Sequence, residues 1–411
     1  MNGNSIRPLS FPPRGCDPAV ALEEVDRYLA SDYCYNGGRI FNSICSQPLA
    51  TGVTAFVRAI ASNLADPRIF PGSAALEQVV ILWIGSLLGA PMVSGNLVSG
   101  GTEANLLAML AACARHKTRY GVQKQRLQIV APVSVHYSFD KVAAVLGVEM
   151  VRSGLDEHYR ADVADLASKI NKRTIAVVAT AGTSELGAID DIESISQLAA
   201  QHGIHCHVDA ATGGFIIPFA RHLGHFLSAF DFTLPHVDSM TVDPHKYGLA
   251  PIPAGCILFR SHEERGSLNF PSHYVGAPAH TTFSGTRTGA AAAAVAAVIR
   301  QLGRDGFAAL TRELFHKRDY LVSRLEQRGW PLLIAPQLSI VAIPCANPEK
   351  TLADLQDLGW IVSLSKRNRA IRLVIHHHID KASINAFVEA FSTTAQPVGE
   401  SSNARAPHLG Q

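Results

Sequence analysis

The chain lacks most of what would mark a secreted, disulfide-stapled or membrane-spanning protein. Its seven cysteines are an odd number and form no C-x-x-C pair. That argues against a disulfide framework or a cysteine zinc site and points to a reducing, cytoplasmic compartment. The opening MNGNSIRPLSFPPRG has no apolar core of the kind a secretory leader carries. The longest apolar stretch, Val79 to Ala90, is too short to cross a bilayer and soon meets Pro91, so it reads as a buried helix. Neither sign of charge is in excess, with 36 Lys and Arg against 34 Asp and Glu. No strong field therefore draws nucleic acid or an anionic membrane, and the expected partner is a small molecule. There is no internal repeat.

What is present is a chain of 411 residues, 47% hydrophobic, long enough to bury one large core and a smaller one. From about Gly95, short β-branched runs alternate with helical ones: LQIVAP (127–132), TIAVVAT (174–180), GIHCHVDA (203–210), DSMTVD (238–243) and GCILFRS (255–261). Such runs, separated by helices such as Ile192–His202, predict an α/β core with a mainly parallel sheet covered on both faces. An alanine-rich helix from about Gly289 to Leu302 leads into helix, strand SIVAIP, strand IRLVIH and helix DKASINAFVEAF, a smaller C-terminal α+β unit. The expected division is an N-terminal segment (1–50), a large domain (51–290), a small domain (291–394) and a disordered polar tail (395–411).

Three strand ends carry chemistry. In LVSGGTEANLLAML an apolar strand breaks at Gly100-Gly101 and Thr102-Glu103 opens a helix, whose free N–H groups and dipole suit a phosphate. An ordinary N-cap on Thr102 would read the same way. In IHCHVDAATGG a buried strand ends in Asp209, at the edge where α/β proteins place their sites. In TVDPHKYGLAP, Lys246 follows His245 at the end of another strand, where an ammonium is costly unless paired or made to react. A phosphate anchor, a carboxylate and a lysine together match the needs of pyridoxal phosphate: a covalent amine, a partner for the pyridine nitrogen and a grip on the phosphate.

The motifs SGGTEAN, HYSFDKVA, AGTSELGAID, HVDAATGG, DPHKYG and GTRTG stand in that order. In them the chain resembles the pyridoxal-phosphate-dependent group II decarboxylases, above all the archaeal-type L-tyrosine/L-aspartate decarboxylases, with sphingosine-1-phosphate lyases as relatives. The resemblance runs from about NSICSQPLA to INAFVEAF. It implies a fold-type I enzyme that decarboxylates an L-amino acid such as aspartate, glutamate or tyrosine. Lys246 would carry the cofactor as a Schiff base, Asp209 would pair with the pyridinium, His136 would stack on the ring and Ala211 would pack against its other face. Gly101 and Thr102 would hold the phosphate, Thr183 would lie near the ring oxygen and His245 near the reacting centre.

The resemblance further implies that Gly285 and Thr286 of SGTRTG reach the phosphate of a neighbouring subunit, which makes a homodimer the expected assembly. Arg372 matches a small-domain arginine that takes the substrate carboxylate. Side-chain selection is expected from the 42–48 loop, with Ser46, and from Thr212, where many relatives carry an aromatic residue. Tyr274 lies in a Gly/Pro-containing loop before GTRTG and is expected either to donate a proton or to pack on the partner subunit. The run His376-His377-His378 is read as a strand with alternating exposure, and no metal is assigned. The rival readings are a carbon–carbon lyase, which shares the cofactor site but cleaves Cα–Cβ, and a non-catalytic protein that kept the fold.

Overall fold

The structure, a computed structural model, describes residues 10–121, 125–273 and 279–398. Its centre is a seven-stranded sheet. The strands are β1 (Ser94–Val98), β2 (Gln128–Pro132), β3 (Glu149–Ser153), β4 (Thr174–Thr180), β5 (His205–Asp209), β6 (Ser239–Val242) and β7 (Gly255–Phe259). Their spatial order is β1-β7-β6-β5-β4-β2-β3. β2 to β6 are mutually parallel, while β7 pairs antiparallel with both β1 and β6. β1 therefore runs the same way as β6, and only β7 is reversed. The carboxyl ends of β1, β4, β5 and β6 consequently share one edge.

The sheet is covered on both faces, so its strands alternate little. All seven residues of β4 are buried, and each Val or Ile there contributes about 1.5–3 kcal/mol. Among the described residues no helix is long and apolar enough to cross a membrane; the Val79–Ala90 run falls mostly within the helix Pro71–Leu87.

After the two-stranded β8 (Phe270–Pro271) and β9 (Ala279–His280), one long helix spans Ala290–Glu326. It continues past the expected end at Leu302 because the chain bends at Gly303 (φ 54°) and resumes rather than stopping there. A second sheet, β10 (Ile340–Pro344), β12 (Ala370–Val374) and β11 (Ser363–Ser365), is antiparallel in the order β10-β12-β11. The His376–His378 run does not continue β12, so the expected alternation is not found. The chain turns after Val374, His376 is fully buried, and His377 and His378 are half-buried. His376 stacks on Tyr247 with ring centroids 4.8 Å apart.

β1 is an edge strand, and its open side is closed by side chains. Glu77 accepts from the Leu97 amide (2.9 Å), while Arg287 Nη1 donates to the Leu97 carbonyl (2.7 Å) and to Glu77 (2.5 Å). This buried pair satisfies backbone groups that would otherwise be stranded and fixes the strand that delivers Gly100. Glu77→Ala would leave Arg287 buried without its partner. The expected loss of stability is about 3–5 kcal/mol, measured by denaturant unfolding; a loss below about 1 kcal/mol would contradict it.

Candidate active site

The shared carboxyl edge opens into a cavity of about 360 Å³. Its lining includes Gly101, Thr102, His136, Asp209, Ala211, Thr212, His245 and Lys246, so eight residues singled out from the sequence converge there.

Lys246 sits in a tight turn after β6, with its amide donating to the Asp243 carbonyl (3.0 Å) and its carbonyl accepting from the Leu249 amide (3.1 Å). Its Nζ lies 3.1 Å from Asp243 Oδ2. Burial disfavours the ammonium, but Asp243 and then Asp209 outweigh that and hold its pKa above the usual lysine range. His245 Nδ1 accepts from the Ala254 amide (3.1 Å), which leaves Nε2 for the proton, 3.6 Å from Asp243 Oδ2. Burial pushes His245 down, towards the neutral form. His136 is likewise pushed down by burial and accepts at Nδ1 from the Ser138 amide (3.2 Å).

Asp209 ends β5 and is held from behind. Its Oδ1 accepts from the Ala211 amide (3.1 Å) and its Oδ2 from Asn105 Nδ2 (3.0 Å). Asn105 is fixed in turn, its Oδ1 accepting from the Thr241 hydroxyl (2.7 Å) and bonded to His207 Nε2 (3.1 Å). Asn105 and Asp243 were missed in the sequence. Both lie inside quoted motifs: Asn105 one helical turn after Gly101, and Asp243 three residues before Lys246.

The helix Gly101–Tyr120 begins at the cavity with no side chain capping its first turn; Gly100, not Thr102, is the N-cap. A Cβ at Gly101 would come 3.0 Å from Asp243 Oδ2 and 3.4 Å from Ala211 Cβ, so glycine keeps that space open. Asp243 Oδ1 and Thr180 Oγ1, both buried, have no hydrogen-bond partner among the described residues. Uncapped N–H groups and a lysine amine suit an anionic group, while the Asp209 carboxylate and the orphaned Asp243 oxygen call for donors; pyridoxal phosphate, with a phosphate at one end and a pyridine N–H at the other, fits both demands.

The remaining expected residues lie elsewhere. Thr183 is buried with its hydroxyl accepting from the Ala188 amide (3.1 Å), and its neighbour Ser184 lines the cavity instead. Arg372 is buried beneath it: Nε donates to the Ser184 carbonyl (2.6 Å), and Nη1 to the Asn42 carbonyl (3.1 Å) and the Ser363 hydroxyl (3.0 Å). Burial pushes this guanidinium down to about 10. Ser46 bonds His378 Nδ1 (2.8 Å). Gly285 and Thr286 are exposed, and Tyr274 lies outside the described residues.

Residues 47–343 match the family described as the pyridoxal-dependent decarboxylase conserved domain. A probable L-tyrosine/L-aspartate decarboxylase of Methanothermobacter thermautotrophicus is 43% identical over 84% of this chain and 94% of its own. A probable L-aspartate decarboxylase of Thermococcus gammatolerans is 38% identical over 92% and 97%. Among solved structures, the sphingosine-1-phosphate lyase of Burkholderia pseudomallei superposes with a TM-score of 0.86 at 22% identity, covering 94% of this chain and 92% of that one, a likeness of fold alone. With a lysine, a carboxylate and an open helix N-terminus in one cavity, and this match over most of its length, the chain belongs to the pyridoxal-dependent decarboxylase family, fold-type I α/β enzymes that use pyridoxal phosphate to decarboxylate amino acids.

Proposed function

We propose that the substrate is an acidic L-amino acid, L-aspartate first, converted to the amine and carbon dioxide. The observation that carries the reading is that the wall of the cavity beside Lys246 is small and polar, built from Ser184 and Thr212, with Arg372 gripping the Ser184 carbonyl from behind. Arg372 does not line the cavity, but its guanidinium stands behind that wall with Nη2 making no hydrogen bond to a described residue, and it is assigned to a substrate carboxylate through its positive charge. The names of the relatives, L-aspartate and L-tyrosine/L-aspartate decarboxylase, support the same class.

The cofactor supplies an electron sink for the charge left when carbon dioxide departs. The chain's residues do the rest. The N–H groups of Gly101 and Thr102 hold the phosphate. Lys246 would be the amine that anchors the cofactor covalently. Asp209, an acceptor pinned by Asn105 and the Ala211 amide, keeps a proton on the pyridine nitrogen. His136 and Ala211 confine the ring. His245 holds a proton at Nε2 beside Lys246 and can hand it on.

Thr183 acts at one remove by shaping the turn that presents Ser184. Ser46 orders the 42–48 loop through His378. The exposed Gly285 and Thr286 are assigned to a partner subunit's phosphate site, in a homodimer.

Purified protein given pyridoxal phosphate is expected to release carbon dioxide and amine from L-aspartate faster than from L-glutamate or L-tyrosine. Aldehyde without carbon dioxide would instead favour carbon–carbon cleavage, and no turnover of any amino acid would contradict the reading.

Two variants separate the roles. Asp209→Asn should retain cofactor by absorbance but lose turnover by about 100-fold, because a neutral amide cannot hold the ring proton; near-normal turnover would remove Asp209 from the mechanism. Gly101→Val should fold, with an unchanged far-ultraviolet spectrum, yet fail to retain pyridoxal phosphate on dialysis. Retention equal to that of the unaltered protein would place the phosphate elsewhere.

A further inference from the structure

His205, His207 and Asp209 alternate along β5 and so face one side of the sheet. Their hydrogen bonds form a single line whose direction is fixed at one end. An ionised Asp209 can only accept, so the Asn105 amide nitrogen faces it and Asn105 Oδ1 faces His207 Nε2. That oxygen also only accepts, so His207 carries its proton on Nε2. Burial, with His205 adding to it, pushes His207 well down, and as a neutral ring it accepts at Nδ1 from the Ser239 hydroxyl (2.8 Å). With its one hydrogen used, Ser239 Oγ accepts from His205 Nε2 (2.7 Å). His205, also pushed down by burial, is left with a bare lone pair on Nδ1.

That lone pair emerges at the amino edge of the parallel strands, opposite the cavity. It faces Asp238, which precedes β6, and Glu264, in the helix His262–Gly266 that follows the reversed β7. His205 Nδ1 is 3.8 Å from Asp238 Oδ2, and one ligating atom from each of the three residues lies within 4.8 Å of the others. His205 is 1% exposed, and neither its Nδ1 nor the buried Glu264 Oε2 has a hydrogen-bond partner among the described residues. Arg115 Nη1 meets the other two oxygens, 3.3 Å from Asp238 Oδ1 and 3.4 Å from Glu264 Oε1. Asp238 Oδ2 also accepts from the Cys206 amide (2.7 Å), so the groups left over are His205 Nδ1 and Glu264 Oε2, two acceptors that neither Arg115 nor the backbone reaches and that are costly to bury with no donor or cation between them.

We propose that His205 Nδ1, Asp238 and Glu264 form a binding site for one divalent first-row transition ion of the zinc class. One imidazole nitrogen and two carboxylates are a ligand set such ions accept, and the partly exposed carboxylates leave coordination positions for water. The Nε2–H bond from His205 to Ser239 is the outer contact that orients a ligating imidazole. The site is remote from the cavity and its existence does not depend on the cofactor chemistry.

The test uses full-length protein stripped with a chelator, then titrated with Zn²⁺ and dialysed, with metal per chain read by elemental analysis. Glu264→Gln and Asp238→Asn are run beside it. Glu264→Gln keeps the side chain's shape and adds an amide that can donate to Asp238, so that variant keeps its fold, and thermal unfolding without metal checks this. The unaltered protein is expected to retain one Zn²⁺ per chain and to melt higher with it, and each variant to bind at least ~10-fold more weakly. No retained Zn²⁺, or unchanged affinity in either variant, would overturn the proposal.

Discussion

Lys246 is held as an ammonium inside the protein because Asp243 stands three residues before it and Asp209 ends the neighbouring strand. Desolvation alone would drive its proton off. The two carboxylates outweigh that cost only while β5 and β6 keep their parallel register, with Asp209 opposite Thr241. A one-residue slip would turn Asp209 to the other face of the sheet and leave the lysine short of one partner. The cavity, the uncapped helix and the loops above it are all arranged around that register.

The same parallel order that gathers the site at one edge sets its polar support through the sheet. Burying His205, His207, Ser239 and Asn105 is tolerable because each hydrogen bond settles the direction of the next. Asp209 is thereby held from behind by a file of hydrogen-bonded groups. The antiparallel β7 matters here as well, since its reversal returns the chain to the far edge and sets Glu264 beside Asp238.

Much of the site was legible because strand ends are easy to read. A β-branched run followed by Gly-Gly, by Asp or by His-Lys signals its own edge, and the parallel pattern implies that the ends meet; thus Gly101, Asp209 and Lys246 could be named together. The five strands marked from β-branched runs are all present. β3 escaped because EMVRS is only half-buried and carries charge. Residues that work through others were not legible: Thr183 resembles Ser184 in sequence, and only the turn decides which side chain reaches the cavity. The histidine run misled for a related reason, since nothing in IRLVIHHH marks where β12 ends and the chain turns. Glu77 and Arg287 are distant in sequence, and their pairing depends on β1 lying at the edge.

The central claim is that Lys246, among the lysines of this chain, is the one that carries the cofactor, because Asp243 and Asp209 place its amine in the cavity. The most direct measurement is borohydride reduction of the protein loaded with pyridoxal phosphate, followed by peptide mapping. The account predicts a single stoichiometric label on the peptide containing Asp243-Pro244-His245-Lys246. A label on another lysine, or none, would contradict it.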